Sequence, residues 1–279
     1  MAKKLYEESS IQGIADAIRA KNGSSDTYTV GDMATAIQNI PTGGGDITGD
    51  CEHFWSDNRV SGYEIEINIP NGTTEITNSA FKDCHGLISI NIPNSVTQIG
   101  NSCFDNCSNL SSINLSNNLM SISSFCFNMC SNLSSINIPN SVTLIGSNSF
   151  QACTSLTSIN IPSGVASIGE YCFNGCTSLT SINIPSGVTR INQQCFANTK
   201  IPSIDIPSGV TRIDANAFKN CNSLMSITCR NTTPPTIQSN TFLNVPATCA
   251  IYVPAESVEA YKTAQYWSAR ANYIQAIPS

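Results

Sequence analysis

The chain has 279 residues, of which 11% are charged, whereas ordinary soluble domains contain about 25%. Its 13 lysines and arginines are scattered and its net charge is −6, which argues against nucleic-acid binding because phosphate contacts need clustered cations. No stretch approaches the roughly 18 apolar residues of a membrane helix, and the first ten residues lack the apolar core of a secretory signal. We therefore expect no membrane insertion.

Residues 1–41 predict two short helices that form a hairpin. Ser9-Ser10-Ile11-Gln12 fits a capping box, Asn22-Gly23 ends the first helix, and Pro41 stops the second. One apolar face runs along the pair, carried by Ile11, Ile14, Ile18, Met33, Ile37 and Ile40. We expect this assembly segment to pack on a partner, on its own copies or on the structure that follows.

Residues 42–58 predict a linker and the start of an N-terminal cap. Gly43-Gly44-Gly45 is typical of a flexible joint. Six acidic side chains follow between residues 46 and 66. Their spacing matches no calcium loop, so a solvated acidic cap is favoured over a cation site.

Residues 59–245 contain a repeat, marked by phenylalanines 22 to 24 residues apart at Phe81, Phe104, Phe127, Phe150, Phe173, Phe196, Phe218 and Phe242. In the unit Tyr171–Asn192, the alternation around Asn183 predicts a half-buried strand. Pro185 ends that strand, Ser186-Gly187 supplies a turn, and Val188–Ile191 predicts a second extended piece. Because no unit can bury its apolar side alone, the units must stack around a continuous core.

The pattern F-x-x-C-x-x-L-x-S-I-x-I-P-x-x-V-x-x-I resembles the BspA-type leucine-rich repeat. This resemblance implies a mainly β solenoid of about eight 23-residue coils, with one strand per coil in a curved sheet. Members of the family are mostly surface adhesion or binding modules. They share no catalytic residues, so the resemblance assigns no catalytic role here, and we expect no enzyme activity and no cofactor.

Residues 246–279 break the period and predict a C-terminal helical cap. Pro254 suits a helix start, and Val258, Tyr261 and Lys262 follow at helical spacing. We expect large side chains of this segment to cover the open end of the core, namely those of Tyr266, Trp267, Tyr273 and Ile274. The segment resembles the C-terminal caps of the same repeat family.

Thirteen cysteines and two histidines are the candidates for metal or nucleophile chemistry. Ten cysteines fall into two columns, three residues after or one residue before the phenylalanines, and pairs such as Cys172 and Cys176 are four residues apart. A metal ladder or disulfides would fit that spacing loosely. Small buried side chains at a tight corner fit the regularity better, so we expect no metal site. His53 and His85 are interpreted as surface histidines.

Polar side chains between the core isoleucines predict a binding face, because alternation points them to solvent. The candidate binding residues are Asn91, Asn114, Asn137, Asn160, Asn183, Asp205, Ser158 and Ser181. The alternative is a hydrogen-bonded side-chain ladder that keeps the sheet soluble. Breaks in the repeat are further pointers, and they occur at Leu119-Met120, at Thr199–Pro202, and at Asp205, Arg212 and Asp214.

The sequence thus predicts a binding module, and residues 14–40 indicate where that module acts. IADAIRAKNGSSDTYTVGDMATAIQNI resembles short N-terminal segments of phage and prophage tail proteins. That resemblance implies a virion protein made in the bacterial cytoplasm, docked to other virion proteins or assembled as a homo-oligomer such as a trimer. Its repeats would bind a host surface glycan or protein. The alternatives are a bacterial cell-surface or secreted adhesin, and a structural spacer without a ligand.

Overall fold

A computed structural model describes residues 65–69 and 71–278 of the chain. Within them the chain winds into a solenoid whose successive coils form parallel strand pairs. Equivalent residues of neighbouring coils face each other, for example Ile90 with Ile113 and Ile204 with Ile227. The expected mainly β solenoid is confirmed. The predicted assembly hairpin, its six apolar residues, the linker and most of the acidic cap lie outside the described residues.

One set of strands, the front strands, contains the alternating isoleucine step. Neighbouring front strands pair in parallel within three groups. The pairing is interrupted around residues 135–138, which are not assigned to a strand, and between Ser181–Ile182 and Ser203–Ile206. The front strands are Ile65–Asn68, Leu87–Asn91, Ser112–Asn114, Ser158–Ile159, Ser181–Ile182, Ser203–Ile206, Ser226–Cys229, Ala250–Val253 and Ile274–Ala276.

A second set of shorter strands, the back strands, follows the turn after most of the front strands. In these strands too, residues one repeat apart are paired, for example Ile122 with Ile145. They are Glu75–Ile76, Gln98–Ile99, Ser121–Ile122, Leu144–Ile145, Ser167–Ile168, Arg190–Ile191 and Arg212–Ile213. The second extended piece predicted in each repeat is therefore confirmed.

The corner between back and front strands is built from tight turns. In the coils from Ser79 to Asn220, two positions per coil have a left-handed backbone, as at Tyr171 with φ 56° and Gly175 with φ 77°. Because a segment such as residues 171–176 is too short for a helix, the sequence predicts a single helical or 3₁₀ turn here. The left-handed residues replace it with consecutive turns, such as the one closed by the bond from the Cys176 N–H to the Phe173 carbonyl.

The core is a continuous column of buried side chains, and its centre is a stack of phenylalanine rings. The eight rings from Phe81 to Phe242 are parallel or nearly so, with neighbouring centroids 5.2 to 5.8 Å apart. With one ring per coil, each ring after Phe81 lies between two other aromatic rings, and offset aromatic pairs are favourable at this distance. This column explains why the phenylalanine period is so regular.

The C-terminal segment closes the column and adds a ninth coil to the eight that the phenylalanines predict. Trp267 takes the next ring position, 5.6 Å from Phe242, and Tyr261 meets it edge-on at 5.2 Å. The predicted helix is present as Val258–Thr263, preceded by a 3₁₀ turn at Ala255–Ser257 and followed by another at Ser268–Tyr273. Trp267 and Ile274 are buried as expected, whereas Tyr266 and Tyr273 are exposed.

Hydrogen bonds lock the cap to the last irregular coil. The Trp267 indole N–H donates to the Pro235 carbonyl at 2.8 Å, and the Tyr261 hydroxyl donates to the Asn231 carbonyl at 3.1 Å. Arg270 lies over the Phe242 ring. None of the helices in the described residues is long and apolar enough to cross a lipid bilayer.

Candidate binding surface

The front strands present a column of amide side chains to solvent. Asn91, Asn137 and Asn160 are exposed between buried isoleucines, and Asn114 is exposed between buried Ile113 and half-buried Leu115. Asn91 faces Asn114 directly across the parallel pair. Since neighbouring strands are about 4.8 Å apart, the surface offers one amide per coil at about this interval.

The four amides of this column make no hydrogen bond to any residue that the structure describes. Asn183 differs, because its Nδ2 donates to the Ile161 carbonyl and its Oδ1 accepts from the Ile161 N–H, at 2.8 and 2.7 Å. Asp205 also has a partner, Arg230. Of the six amide or carboxylate side chains predicted for binding, four thus keep their polar atoms available to a ligand.

A serine column runs beside the amides. Ser158 and Ser181 are exposed and face each other in the parallel pair. Each lies two residues before the asparagine of its own coil, so hydroxyl and amide groups share the outward face. A hydroxyl donates one hydrogen bond and accepts others, and an amide does both, so the face can match any neutral polar partner.

The column widens into a groove of about 520 Å³ at the first coils of the described solenoid. Its lining is formed by Asn71, Gly72, Asn91, Ile92, Pro93, Asn94, Ser95, Asn114, Leu115 and Asn117. A hydrogen bond links two turns that line the groove, in which the Asn94 Oδ1 accepts from the Asn117 N–H at 2.9 Å. Leu115-Ser116 stands where most other coils have Ile-Pro, and Leu115 is half-buried, which adds a small apolar patch to the groove.

Side-chain ladders exist in the molecule, but at the corner and not on the amide column. There Asn106 Nδ2 donates to Asp83 Oδ1 at 2.6 Å, and three successive Asn-to-Asn bonds of 2.8 Å link Asn174, Asn198, Asn220 and Asn244. Most of these asparagines have a left-handed backbone, which asparagine tolerates better than most residues. The ladder interpretation therefore fails for the four free front asparagines.

The cysteine columns are structural. All twelve cysteines of the described residues are buried, and they are thiols. In five coils the thiol donates to the carbonyl of the phenylalanine in the preceding coil, for example Cys176 to Phe150 at 3.0 Å. Burial raises the pKa of the Cys176 thiol to about 12, so it stays protonated and keeps its donor. Among the described residues, no three side chains are grouped so as to hold a metal ion.

His85 lies in a partly buried turn, where its Nδ1 is 3.1 Å from the Ser108 hydroxyl. A hydrolytic triad also needs a carboxylate to orient the imidazole. Within the described part of the chain, no carboxylate is hydrogen-bonded or ion-paired to His85. The contact links two coils and assembles no nucleophile. His53 lies outside the described residues.

The breaks in the repeat have different consequences. Leu119 is buried but Met120 is 65% exposed. Thr199 takes a cysteine position and donates to the Phe196 carbonyl at 2.9 Å. Asp214 is buried between two arginines, Arg190 and Arg212, with both Nε–Oδ distances 2.6 Å. Arg190 was not among the residues predicted from the sequence. It could have been found by comparison with Arg212, which occupies the same repeat position in the next coil.

Comparisons with known proteins agree on the repeat. The model of the family described as "BspA type Leucine rich repeat region" matches residues 64–163 and 143–268, in six copies. No curated protein is significantly similar to the chain.

Solved structures with this repeat are also similar. A leucine rich cell surface protein from Faecalibacterium prausnitzii is 28% identical, with a TM-score of 0.60 over 77% of this chain and 66% of that protein. The leucine rich repeat protein of T. pallidum is 27% identical, with a TM-score of 0.49 over 58% of this chain and 68% of that protein. The chain thus spans slightly less than two thirds of the Faecalibacterium protein.

Proposed function

Because the chain belongs to the BspA-type leucine-rich-repeat family, we propose that it is a non-enzymatic binding module whose front face holds a neutral glycan. The observation that carries the proposal is the column of exposed amides without internal partners, at Asn91, Asn114, Asn137 and Asn160. In four coils these groups can exchange water for a ligand without breaking a hydrogen bond within the protein.

The chemistry of the face favours a sugar. An amide can donate and accept at once, which suits the hydroxyl groups of a carbohydrate. The amide column carries no charge, so it offers nothing to steer an ionic partner. The repeat spacing also suits a polymer, because successive units of a chain-like ligand can meet successive amides and add their affinities.

The setting proposed for this module is the bacterial cell surface. The support is the likeness to the leucine rich cell surface protein of Faecalibacterium prausnitzii, at 28% identity. A module displayed there would act as an adhesin that meets a glycan or protein of another cell. Detection of the chain on intact cells by protease shaving would agree with this location, and its recovery only from the cell interior would contradict it.

A second candidate setting is the virion, and the observation that favours it is the resemblance of residues 14–40 to segments of phage tail proteins. In this case residues 1–41 would dock or oligomerise the protein, and the same face would bind a host surface. Mass spectrometry of purified phage particles from an induced host tests it. Native mass of the full chain beside a chain that begins at Gly45 tests the assembly role.

The function is tested with an array of neutral glycans. The full chain is compared with Asn114→Ala/Asn137→Ala and with the matched control Asn109→Ala/Asn132→Ala, which changes exposed asparagines of the same two coils away from the amide column. We expect the first pair to lose the glycans that the full chain binds and the control to keep them. Recovery of the glycans unchanged after incubation is expected of a binder, whereas cleaved glycans would contradict a non-enzymatic role.

A further inference from the structure

The back strands carry a second, charged feature that the amide column does not use. Arg190 and Arg212 face each other across neighbouring coils in a parallel pair. Both side chains approach one carboxylate, Asp214, which is 3% exposed. In the earlier coils the same strand position is occupied by Glu75, Gln98, Ser121, Leu144 and Ser167. Two consecutive arginines thus occur here as a break in the repeat.

The carboxylate holds the two arginines by their inner nitrogens. Arg190 Nε lies 2.6 Å from Asp214 Oδ2, and Arg212 Nε lies 2.6 Å from Asp214 Oδ1. Each oxygen therefore fixes one guanidinium. The terminal nitrogens of both arginines make no hydrogen bond to Asp214.

Those terminal nitrogens have no partner among the residues that the structure describes. The two arginine side chains are 48% and 49% exposed. One buried carboxylate balances only one of the two cations, so a positive charge remains at the surface of an otherwise acidic chain. Coils about 4.8 Å apart place the two guanidinium groups side by side.

From this geometry we propose that Arg190 and Arg212 form an oxyanion clamp, held in place by Asp214, that binds the carboxylate or sulfate group of an acidic glycan. Paired guanidinium groups match the oxygens of such groups with charge-assisted hydrogen bonds. Asp214 is a positioning residue, since it fixes the arginines without contacting the ligand. The clamp lies on the back strands and does not rest on the neutral-glycan function proposed for the front face.

Another exposed arginine shows what a closed pair looks like. Arg230 places both Nε and Nη2 on Asp205, at 3.0 and 2.6 Å. One of its terminal nitrogens is already hydrogen-bonded to Asp205, and its charge is balanced by that one carboxylate. Arg230 is therefore the matched control for the clamp.

The test is calorimetric titration of the full chain with sodium sulfate, sodium phosphate, a sulfated oligosaccharide and its unsulfated counterpart. The main variant is Arg190→Gln/Arg212→Gln/Asp214→Asn, which leaves no buried carboxylate without its cation. It removes one net positive charge, as does the control Arg230→Gln. A second variant, Arg190→Lys/Arg212→Lys, keeps the charge and Asp214 but loses the planar fork. Circular dichroism checks that each variant is folded.

We expect the sulfated oligosaccharide to bind and its unsulfated counterpart not to bind at this site. The triple variant should weaken binding about tenfold or more, because charge-assisted hydrogen bonds are lost, and Arg230→Gln should change it by less than about twofold. Equal binding by the full chain and the triple variant, or no binding of any anion, would overturn the clamp. Free sulfate or phosphate that binds as tightly as the oligosaccharide would support the clamp and identify a free anion as its ligand.

Discussion

The thiol of Cys153 donates a hydrogen bond to the carbonyl oxygen of Phe127, 3.1 Å away in the preceding coil. That carbonyl also accepts the N–H of Cys130 in its own turn. The cysteine column is thus a set of donors that join one coil to the next inside the core. This backbone requirement explains its regular spacing in the sequence.

If the donor matters, Cys153→Ser should be tolerated better than Cys153→Ala. Alanine leaves a small cavity and removes the donor, with an expected loss of about 1–2 kcal/mol in the free energy of unfolding. Serine keeps a donor at the same position. Urea denaturation of both variants measures the difference. A column that served only as apolar packing would give the opposite order, with serine the more destabilising.

The buried thiols also predict how stability depends on pH. Burial raises the pKa of Cys176 from its ordinary value of 9.0 to about 12, and desolvation also raises the pKa of Cys153 well above that value. Above pH 9 the unfolded chain loses these protons while the folded chain keeps them. The stabilisation is therefore complete below pH 9 and is lost as the pH rises toward the folded pKa.

The measurement is the urea midpoint under reducing conditions between pH 8 and 10.5, and we expect it to fall with a slope that is shallower in Cys153→Ala. A midpoint that stays level or rises across this interval would contradict the assignment.

Two glycines of neighbouring repeat positions should respond differently to alanine. A Cβ on Gly169 would lie 2.3 Å from the Ser147 backbone nitrogen in the preceding coil, whereas one on Gly164 would have nothing closer than 3.7 Å. Gly169→Ala should therefore force the coils apart and cost about 1–3 kcal/mol, and Gly164→Ala should change stability by less than about 1 kcal/mol. Similar melting temperatures for the two variants would show that the coils are not as tightly stacked as described.

Two adjacent aromatic residues test whether the C-terminal segment caps the core. Trp267 is 1% exposed and ends the ring stack, whereas Tyr266 is 42% exposed. Trp267→Ala should cost about 3–5 kcal/mol, and because coils are stabilised by their neighbours, the loss should begin at the C-terminal end. Hydrogen exchange locates it. Tyr266→Ala is the control and should be close to the full chain; protection lost equally along all coils in Trp267→Ala would contradict a capping role.

Most of the described fold could be predicted from the sequence because each position of the repeat has one structural role. The phenylalanine period predicts the ring stack, and the alternation around Asn114 predicts which side chains are exposed. The ninth coil was less apparent, because Trp267 replaces the phenylalanine and lies 25 residues after Phe242 instead of about 23. Left-handed corners were missed because residues as different as Tyr171 and Ala152 occupy them.

The candidate site was predictable in outline only. Exposure of the amide column follows from strand alternation, but whether an exposed amide has a partner depends on contacts between coils. Asn160 and Asn183 occupy equivalent positions in the repeat, yet only Asn183 bonds to the backbone of its neighbour, Ile161. The arrangement of Arg190 and Arg212 around Asp214 likewise depends on side-chain geometry that composition and spacing do not contain.

The most direct test of the binding role is a dissociation constant, measured for the neutral glycan that the full chain binds most tightly. It is measured for the full chain, for Asn114→Ala/Asn137→Ala and for Asn109→Ala/Asn132→Ala. If the amide column holds the ligand, the first variant should bind about tenfold more weakly, since two hydrogen bonds are lost, and the second should match the full chain. Equal dissociation constants for all three proteins would contradict the account.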